Sequence, residues 1–392
     1  MNEPVIVSAC RTSVGSFRGS LGSLPAPKLG AVVVKEAVQR AHLRADQVDE
    51  VIMGNVLSAG VGQAPARQSA IFAGLPTSVQ CLTVNKVCGS GLKAVMLASQ
   101  AVALGDAEVV VAGGMESMTN APYLLEKARD GYRMGNAELV DEMLKDGLTD
   151  AYNHQAMGLA AEECAKALAI GREEQDEFAM LSYRRAQEAQ SQGWFRKEIV
   201  PVEIASPKGE AVIAETDEDV KKTDFQKIPK LKSVFMKDGT VTAANSSKIS
   251  DGAAAVVVTS SEFASRMGVQ PLARIVAQAS YAKDPFQFTT APADAITKVL
   301  KKSGLGLAEI DLFEINEAFA SSTLAVIKAL EISRNKVNVR GGAVALGHPI
   351  GASGARLLAT LIYALKDHQL TKGVASLCLG GSEAVAMAIE LE

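Results

Sequence analysis

Three short segments of this chain recur in the same order at an almost constant offset. Val48-Asp49-Glu50-Val51 resembles Ile310-Asp311-Leu312-Phe313, with the aspartates 262 positions apart (49 to 311). Gly89-Ser90-Gly91-Leu92-Lys93 resembles Ala352-Ser353-Gly354-Ala355-Arg356, with the serines 263 apart (90 to 353). Gly113-Gly114 resembles Gly380-Gly381, each pair read as following a strand, 267 apart (113 to 380). Three ordered matches predict an internal duplication of one structural unit. Pseudo-symmetry would then bring matching strand ends of the two halves together.

The unit itself is α/β. Strand patterns at Val5–Ala9, Glu50–Asn55 and Glu108–Ala112 alternate with helical ones at Leu29–His42 and Ala64–Ala73. Such alternation predicts a mostly parallel sheet with helices on its faces. Leu92, Val95, Met96, Ala98, Val102 and Leu104 recur at helical spacing, so another helix opens just after Cys88. In the second half Gly381 leads at once into a last strand, Glu383–Ile389. Its first-half counterpart, Ala253–Thr259, comes only after a long detour. The chain therefore divides into a first half (1–118 with 250–270), an inserted segment (119–249) and a second half (271–392). The insertion is more polar, with helical stretches at Leu159–Ala169 and Glu173–Gly193. It also holds a basic run, Lys221, Lys222, Lys227, Lys230, Lys232 and Lys237. A solvated face is the simplest reading of that run; a platform for a polyanionic ligand is the alternative.

Composition excludes several classes. At 392 residues the chain is too long for one ordinary core. Hydrophobic content of 48% with 21% charged residues fits a soluble globular protein, and a net charge of −4 argues against general nucleic-acid binding. No apolar run approaches the roughly 18 residues of a membrane span, and a strand at Val5 leaves no room for a leader. Cys10, Cys81, Cys88, Cys164 and Cys378 are odd in number and lack metal-type spacing, which predicts free thiols in a reducing compartment. Cytoplasmic location, with no nucleic-acid or membrane partner, is the expectation.

Four stretches carry reactive groups. Cys88 sits where a strand turns into a helix N-terminus, and unpaired N–H groups there favour thiolate over thiol. Gly89 and Gly91 would permit a tight turn and close approach of a substrate. A buried core cysteine is the plain alternative, and the paired glycines weigh against it. Asn316 lies at the carboxyl end of the strand Asp311–Ile315, where open α/β sheets place their sites. His348 falls in a glycine-lined loop, Gly341 to Gly354, before a helix. Cys378 ends a strand ahead of Gly380-Gly381.

These stretches resemble the thiolases, and the likeness spans nearly the whole chain. It covers Val7–Thr12, Asn85–Ala94, Gly113–Met118, Gly239–Ala243, Asn316–Ala320, the His348 loop and Cys378–Gly381. The resemblance implies a five-layered αβαβα fold of two similar halves, with an inserted loop domain that binds coenzyme A, and a homotetramer built as a dimer of dimers. It implies that Cys88 accepts the acyl group and that His348 activates it. His348 and a water held by Asn316 would form one oxyanion hole, and the N–H groups of Cys88 and Gly380 the other. Cys378 would move the Cα proton. Coenzyme A is then a substrate, and no cofactor is required.

Finer expectations follow from the same likeness. Met157, Lys221, Leu231, Ala243 and Ser247, with the surroundings of His348, match coenzyme A-binding positions, and Phe288 and Phe319 match the acyl pocket. Phe288-Thr289-Thr290-Ala291-Pro292, Asp146–Asp150 and Tyr183 resemble the mitochondrial-type acetoacetyl-CoA thiolases. In potassium-activated members the aligned tyrosine helps bind the ion. Tyr183 with the carbonyls of Ala243, Ala244, Ser246 and Val344 is therefore the candidate K⁺ site. Two departures stand out: Ala156 replaces a histidine common in short-chain members, and Ser382 replaces a glycine. The rival readings are a longer-chain degradative 3-ketoacyl-CoA thiolase, a ketoacyl synthase, and a catalytically silent acyl-CoA-binding protein. A ketoacyl synthase has no job for Cys378, and a silent protein none for all four groups.

Overall fold

In the computed structural model, which describes residues 2–205 and 209–392, nine strands form one continuous path. Their order is Leu312–Ile315, Lys372–Leu379, Glu383–Glu390, Ala273–Ala282, Pro4–Thr12, Ser250–Ser260, Val109–Ser117, Glu50–Gly54 and Gln80–Val84. The first four belong to the second half and the last five to the first. The two groups join only where Val5 pairs with Arg274 and Ile6 with Ala273.

Alternation along the strands assigns the layers, because successive side chains leave opposite faces. Val5, Val7, Val109 and Val111 pack outward with helices Ala26–Arg40 and Pro65–Phe72. Ile6, Ala9, Val110 and Ala112 point the other way, into a core shared with Val385, Met387 and Ile389 of the second half. Helices Ser90–Leu104 and Ser353–His368 fill that shared core. Ala384, Ala386 and Ala388 face outward onto helices Ala291–Ser303 and Ala320–Leu330. The result is helix, sheet, helix, sheet, helix: five layers, as expected.

The duplication extends to single hydrogen bonds. Asp49 Oδ2 accepts from the backbone N–H of Glu108 and Val109 at 2.8 and 3.0 Å. Asp311 Oδ2 accepts from Thr371 and Lys372 at 3.0 and 2.8 Å. One carboxylate thus aligns two parallel neighbours in each half, pairing Val109 with Lys372 in the repeat. That register overturns the third sequence match. Gly113 and Gly114 lie inside the strand Val109–Ser117, whereas Gly380 and Gly381 follow Lys372–Leu379. The two glycines are in the strand for space: a Cβ on Gly113 would lie 2.0 Å from Ala254 O, and one on Gly114 2.0 Å from Gly351 O.

Two other expectations change. The sheet is mixed rather than mostly parallel. Parallel pairs link Glu50–Gly54 to its two neighbours and Leu312–Ile315 to Lys372–Leu379, and the remaining long ladders are antiparallel. Strands buried on both faces are uniformly apolar, so their direction leaves no trace in the pattern. The stretch Val87–Leu104 does reach membrane-span length, with a mean hydropathy of 1.4 over 18 residues. It is apolar because a sheet covers it on each side.

The inserted segment is anchored to both halves. Cys164 and Phe178, from helices Met157–Ala167 and Arg172–Ser191, join the outer core of the second half. Arg11, fully buried on the first strand, donates to Glu198 at 2.7 Å and to Asp217 at 2.7 and 2.9 Å. A buried charge is tolerated only when so fully paired. The six lysines of the basic run are all exposed, with Lys222 paired to Glu218 and Asp219 and Lys227 to Asp224, as a solvated face requires.

The central helices meet backbone to backbone. A Cβ on Gly354 would lie 2.3 Å from the Leu92 nitrogen, and one on Gly91 2.9 Å from the Ala355 nitrogen. Gly354→Ala would gain about 1 kcal/mol in an exposed helix. Here it should lose about 1–3 kcal/mol by overpacking, seen as a lower thermal midpoint. An unchanged or raised midpoint would show that the helices are not in tight contact.

Candidate active site

The turn before the helix Ser90–Leu104 is strained. Val87 has φ +46°, left-handed backbone that a β-branched residue rarely adopts. Ser90 holds the turn: its Oγ donates to Val87 O at 2.7 Å and accepts from Lys86 N at 2.8 Å. Lys86 is tied by an ion pair to Glu383. The turn presents Cys88, which keeps part of its surface accessible. Gly89 is not placed for left-handed backbone, since its φ is −87°. Its missing Cβ makes room for Leu379, whose side chain would lie 2.4 Å away. Gly91 likewise yields to the second half. Both glycines admit the other half of the molecule.

The thiol is the stable form of Cys88. Burial pushes its pKa up to about 11, while the N–H groups of Gly380 and of Cys88 itself pull it down and Glu116 opposes them. Desolvation therefore outweighs the helix terminus, contrary to the expectation of a thiolate, and Cys88 needs a base. Cys378 is buried and its pKa is also raised, first by desolvation and then by the neighbouring Cys88.

His348 is the candidate base. Its Nδ1 lies 2.6 Å from Ser353 Oγ, and that hydroxyl donates to Pro349 O at 2.9 Å. Ser353 therefore accepts from Nδ1–H, which assigns the lone pair to Nε2. Nε2 faces Asn316 Nδ2 at 3.4 Å, and Asn316 Oδ1 is buried with no partner among the described residues. Burial, then the positive Arg356, lowers the His348 pKa to about 3. The imidazole is neutral at physiological pH. Gly347, at φ +110°, turns the chain where a Cβ would strike Ser250 Oγ at 2.3 Å.

Two buried carboxylates, quoted within motifs of the sequence but given no role there, hold these loops. Glu116 accepts from Asn55 Nδ2 and from the backbone N–H of Val56, Leu57 and Gly351 at 2.8 to 3.2 Å. Burial raises its pKa to about 8 against those N–H groups. Its four donors tie the Asn55–Leu57 segment to Gly351 of the His348 loop. Glu317 accepts from Ser182 Oγ, Asn338 Nδ2 and Val344 N at 2.7, 2.8 and 3.1 Å, fixing the start of the His348 loop. An acidic residue inside an otherwise apolar, glycine-containing run was the available signal for Glu116.

A cavity of about 400 Å³ opens onto His348, lined also by Met118, Ala156, Met157, Ser247, Phe319 and Ile350. Cys88 packs against Met118 and Ile350 of its wall. Larger cavities of about 910 and 690 Å³ lie elsewhere and contain none of the four reactive groups. Of the coenzyme A-binding candidates, Met157 and Ser247 line the His348 cavity. Lys221 lines the 910 Å³ cavity with Arg40 and Gln187, and Leu231 is exposed outside all three. Phe288 does not face the cavity either. It backs Phe319 at 6.5 Å, edge to face, while Phe235, unnoticed in the sequence, packs on Phe319 at 6.0 Å and lines the wall. Ser382, in place of glycine, takes the left-handed φ of +63° that glycine would adopt freely.

The side chain of Lys248 stands among the candidate K⁺ ligands. The Lys248 ammonium donates to Ala243 O, lies 3.4 Å from Ser246 O and stands 5.7 Å from the centre of the Tyr183 ring.

The chain belongs to the thiolase family. Thiolase, N-terminal domain, matches residues 4–262 and Thiolase, C-terminal domain, residues 269–391. It is 53% identical over 391 residues to an acetyl-CoA acetyltransferase of Cupriavidus necator, covering 100% of both chains. It is 52% identical to the mitochondrial acetyl-CoA acetyltransferase of Rattus norvegicus, covering 100% of this chain and 91% of the relative. The crystal structure of the Bacillus anthracis acetyl-CoA acetyltransferase superposes with a TM-score of 0.98 at 42% identity, over 100% of this chain and 99% of the other.

Two predictions follow from these ionisation states. Alkylation of Cys88 in the free enzyme, mapped by peptide mass, should rise about tenfold per unit between about pH 7 and 10 without a plateau. A plateau near pH 7 would mean a thiolate–imidazolium pair instead. Ser353→Ala removes the acceptor that fixes the His348 ring and should lower kcat about tenfold with little change in KM. Unchanged kcat would free Ser353 of that role.

Proposed function

We propose that this chain catalyses the reversible Claisen condensation of two acetyl-CoA molecules to acetoacetyl-CoA and CoA, and the thiolysis of short 3-ketoacyl-CoAs, through an acyl group carried on Cys88. One observation carries the reading: a thiol on a strained strand-to-helix turn neighbours a second thiol and packs against Met118 and Ile350, which line the cavity onto which a neutral imidazole opens.

The chemistry needs each group. His348 Nε2 takes the Cys88 proton as sulfur attacks the thioester carbonyl, and the proton passes to the departing CoA sulfur. The N–H groups of Cys88 and Gly380, which point at the Cys88 sulfur, are placed to receive the oxyanion that forms beside it. Losing one such donor typically costs about 10²–10³ in rate. A second acetyl-CoA must then lose a Cα proton while Cys88 is acylated, so a different group has to accept it; this is the role of Cys378. Asn316 and His348 flank the position for the second oxyanion. Coenzyme A would run along Met157, Ser247 and Phe319, held by the 119–249 segment, with no further cofactor.

Several finer readings go with this one. All five cysteines are free, which fits a reducing cytoplasm. The outer strand Gln80–Val84 is largely uncovered, and Leu82, Ile71 and Phe72 are exposed beside it. Tyr132, Met134 and Leu139 are exposed on the loop between the short strands Tyr123–Leu124 and Val140–Asp141. Two separate apolar surfaces support a dimer of dimers.

Cys378→Ser should suppress acetoacetyl-CoA thiolysis far more than exchange between acetyl-CoA and CoA, because only thiolysis moves the Cα proton. Equal losses would deny Cys378 that role. Across acetoacetyl-, 2-methylacetoacetyl-, 3-ketohexanoyl- and 3-ketodecanoyl-CoA, kcat/KM should fall with chain length in graded steps, since a pocket separates one methylene by about 1–3 kcal/mol. A steady rise to the ten-carbon substrate would favour the long-chain degradative alternative, with Ala156 in the cavity wall opening the space.

A further inference from the structure

We propose that Lys248 is a built-in monovalent cation, whose ammonium occupies the carbonyl cluster where some relatives would hold K⁺ and so makes this enzyme independent of that ion. The proposal rests on the thiolase reading only for its activity arm.

The geometry is that of an ion site already filled. The ammonium donates to Ala243 O, lies 3.4 Å from Ser246 O and is 5.7 Å from the Tyr183 ring centre. Carbonyl dipoles that converge on one point repel one another unless a cation sits between them, and an aromatic face adds to the attraction. A metal ion on the same oxygens would have to displace the ammonium or sit against a like charge.

The same residue reaches the catalytic base. Lys248 O accepts from His348 N and from Ser250 Oγ, each at 3.0 Å. Ser246, Ser247 and Lys248 form one wall of the cavity onto which His348 opens. The other end of this turn is held by Asn245, which donates to Asp176 at 3.0 Å and accepts from Thr242 N at 2.7 Å. A cation at Lys248 Nζ therefore ties the turn to itself beside the backbone that carries His348. Lys248 is a positioning residue, not a catalytic one.

The test compares chloride salts of K⁺, Na⁺ and tetramethylammonium at equal ionic strength, for the wild type and Lys248→Ala. Thermal midpoint and kcat/KM for acetoacetyl-CoA thiolysis are both read; the midpoint needs no substrate, so it stands even if the assigned reaction is wrong. The wild type should respond equally to all three salts. Lys248→Ala should lose about tenfold in kcat/KM and some of its midpoint, and K⁺ or ethylammonium should restore both where tetramethylammonium does not. A wild type that K⁺ specifically activates or stabilises overturns the proposal. So does a variant that loses nothing, or one whose loss no cation repairs, since the side chain would then act by packing. If Lys248→Ala does not fold, the wild-type comparison alone decides.

Discussion

Contact between the two central helices is the constraint on which the site depends. Ser90–Leu104 and Ser353–His368 lie between the sheets and touch through glycine, with no side chain between them at Gly91 and Gly354. Close approach sets the two helix N-termini side by side. The turn before one carries Cys88, and the loop before the other carries His348. Gly89 serves the same end by admitting Leu379, which brings Cys378 and the Gly380 N–H to the first turn. The candidate catalytic groups of both halves are thus assembled by the absence of methyl groups at a few points of contact.

That depth has a consequence for reactivity. Burial drives both thiols and the imidazole towards their neutral forms, so the resting site stores no ion pair. In the proposed reaction, charge appears only when a thioester arrives and the N–H groups of Cys88 and Gly380 have an oxyanion to receive. Protein dipoles fixed in advance serve this purpose better than water, which would have to reorganise. Buried Glu116 and Glu317 support the arrangement indirectly: Glu116 gathers the backbone N–H groups of Val56, Leu57 and Gly351, and Glu317 takes that of Val344.

Much of this was legible in the sequence because the repeated residues do repeated local work. Asp49 and Asp311 align parallel strands, and Ser90 and Ser353 stitch the turns ahead of the central helices. A residue that must bond to nearby backbone is kept at a fixed place, so it reveals the repeat. Gly113-Gly114 misled because a glycine recognised only by its lack of a side chain can mark a turn or a tight contact. Strand direction was hidden by uniform burial. Phe288 was placed by likeness to other chains, which gives a position in sequence but not the direction of a side chain. Folded, it supports Phe319 from behind. Lys248 carries no mark in the sequence, because its partners are carbonyls and an aromatic ring that only the fold brings to it.

The claim at the centre of this account is that Cys88, and not Cys378, carries the acyl group. The most direct measurement is to mix the enzyme with acetyl-CoA, quench in acid, and map the adduct by peptide mass spectrometry. The account predicts one acetyl group per chain on the peptide containing Cys88, with Cys378 unmodified. Acetyl found on Cys378 alone, or on neither cysteine while the enzyme turns over, would contradict it.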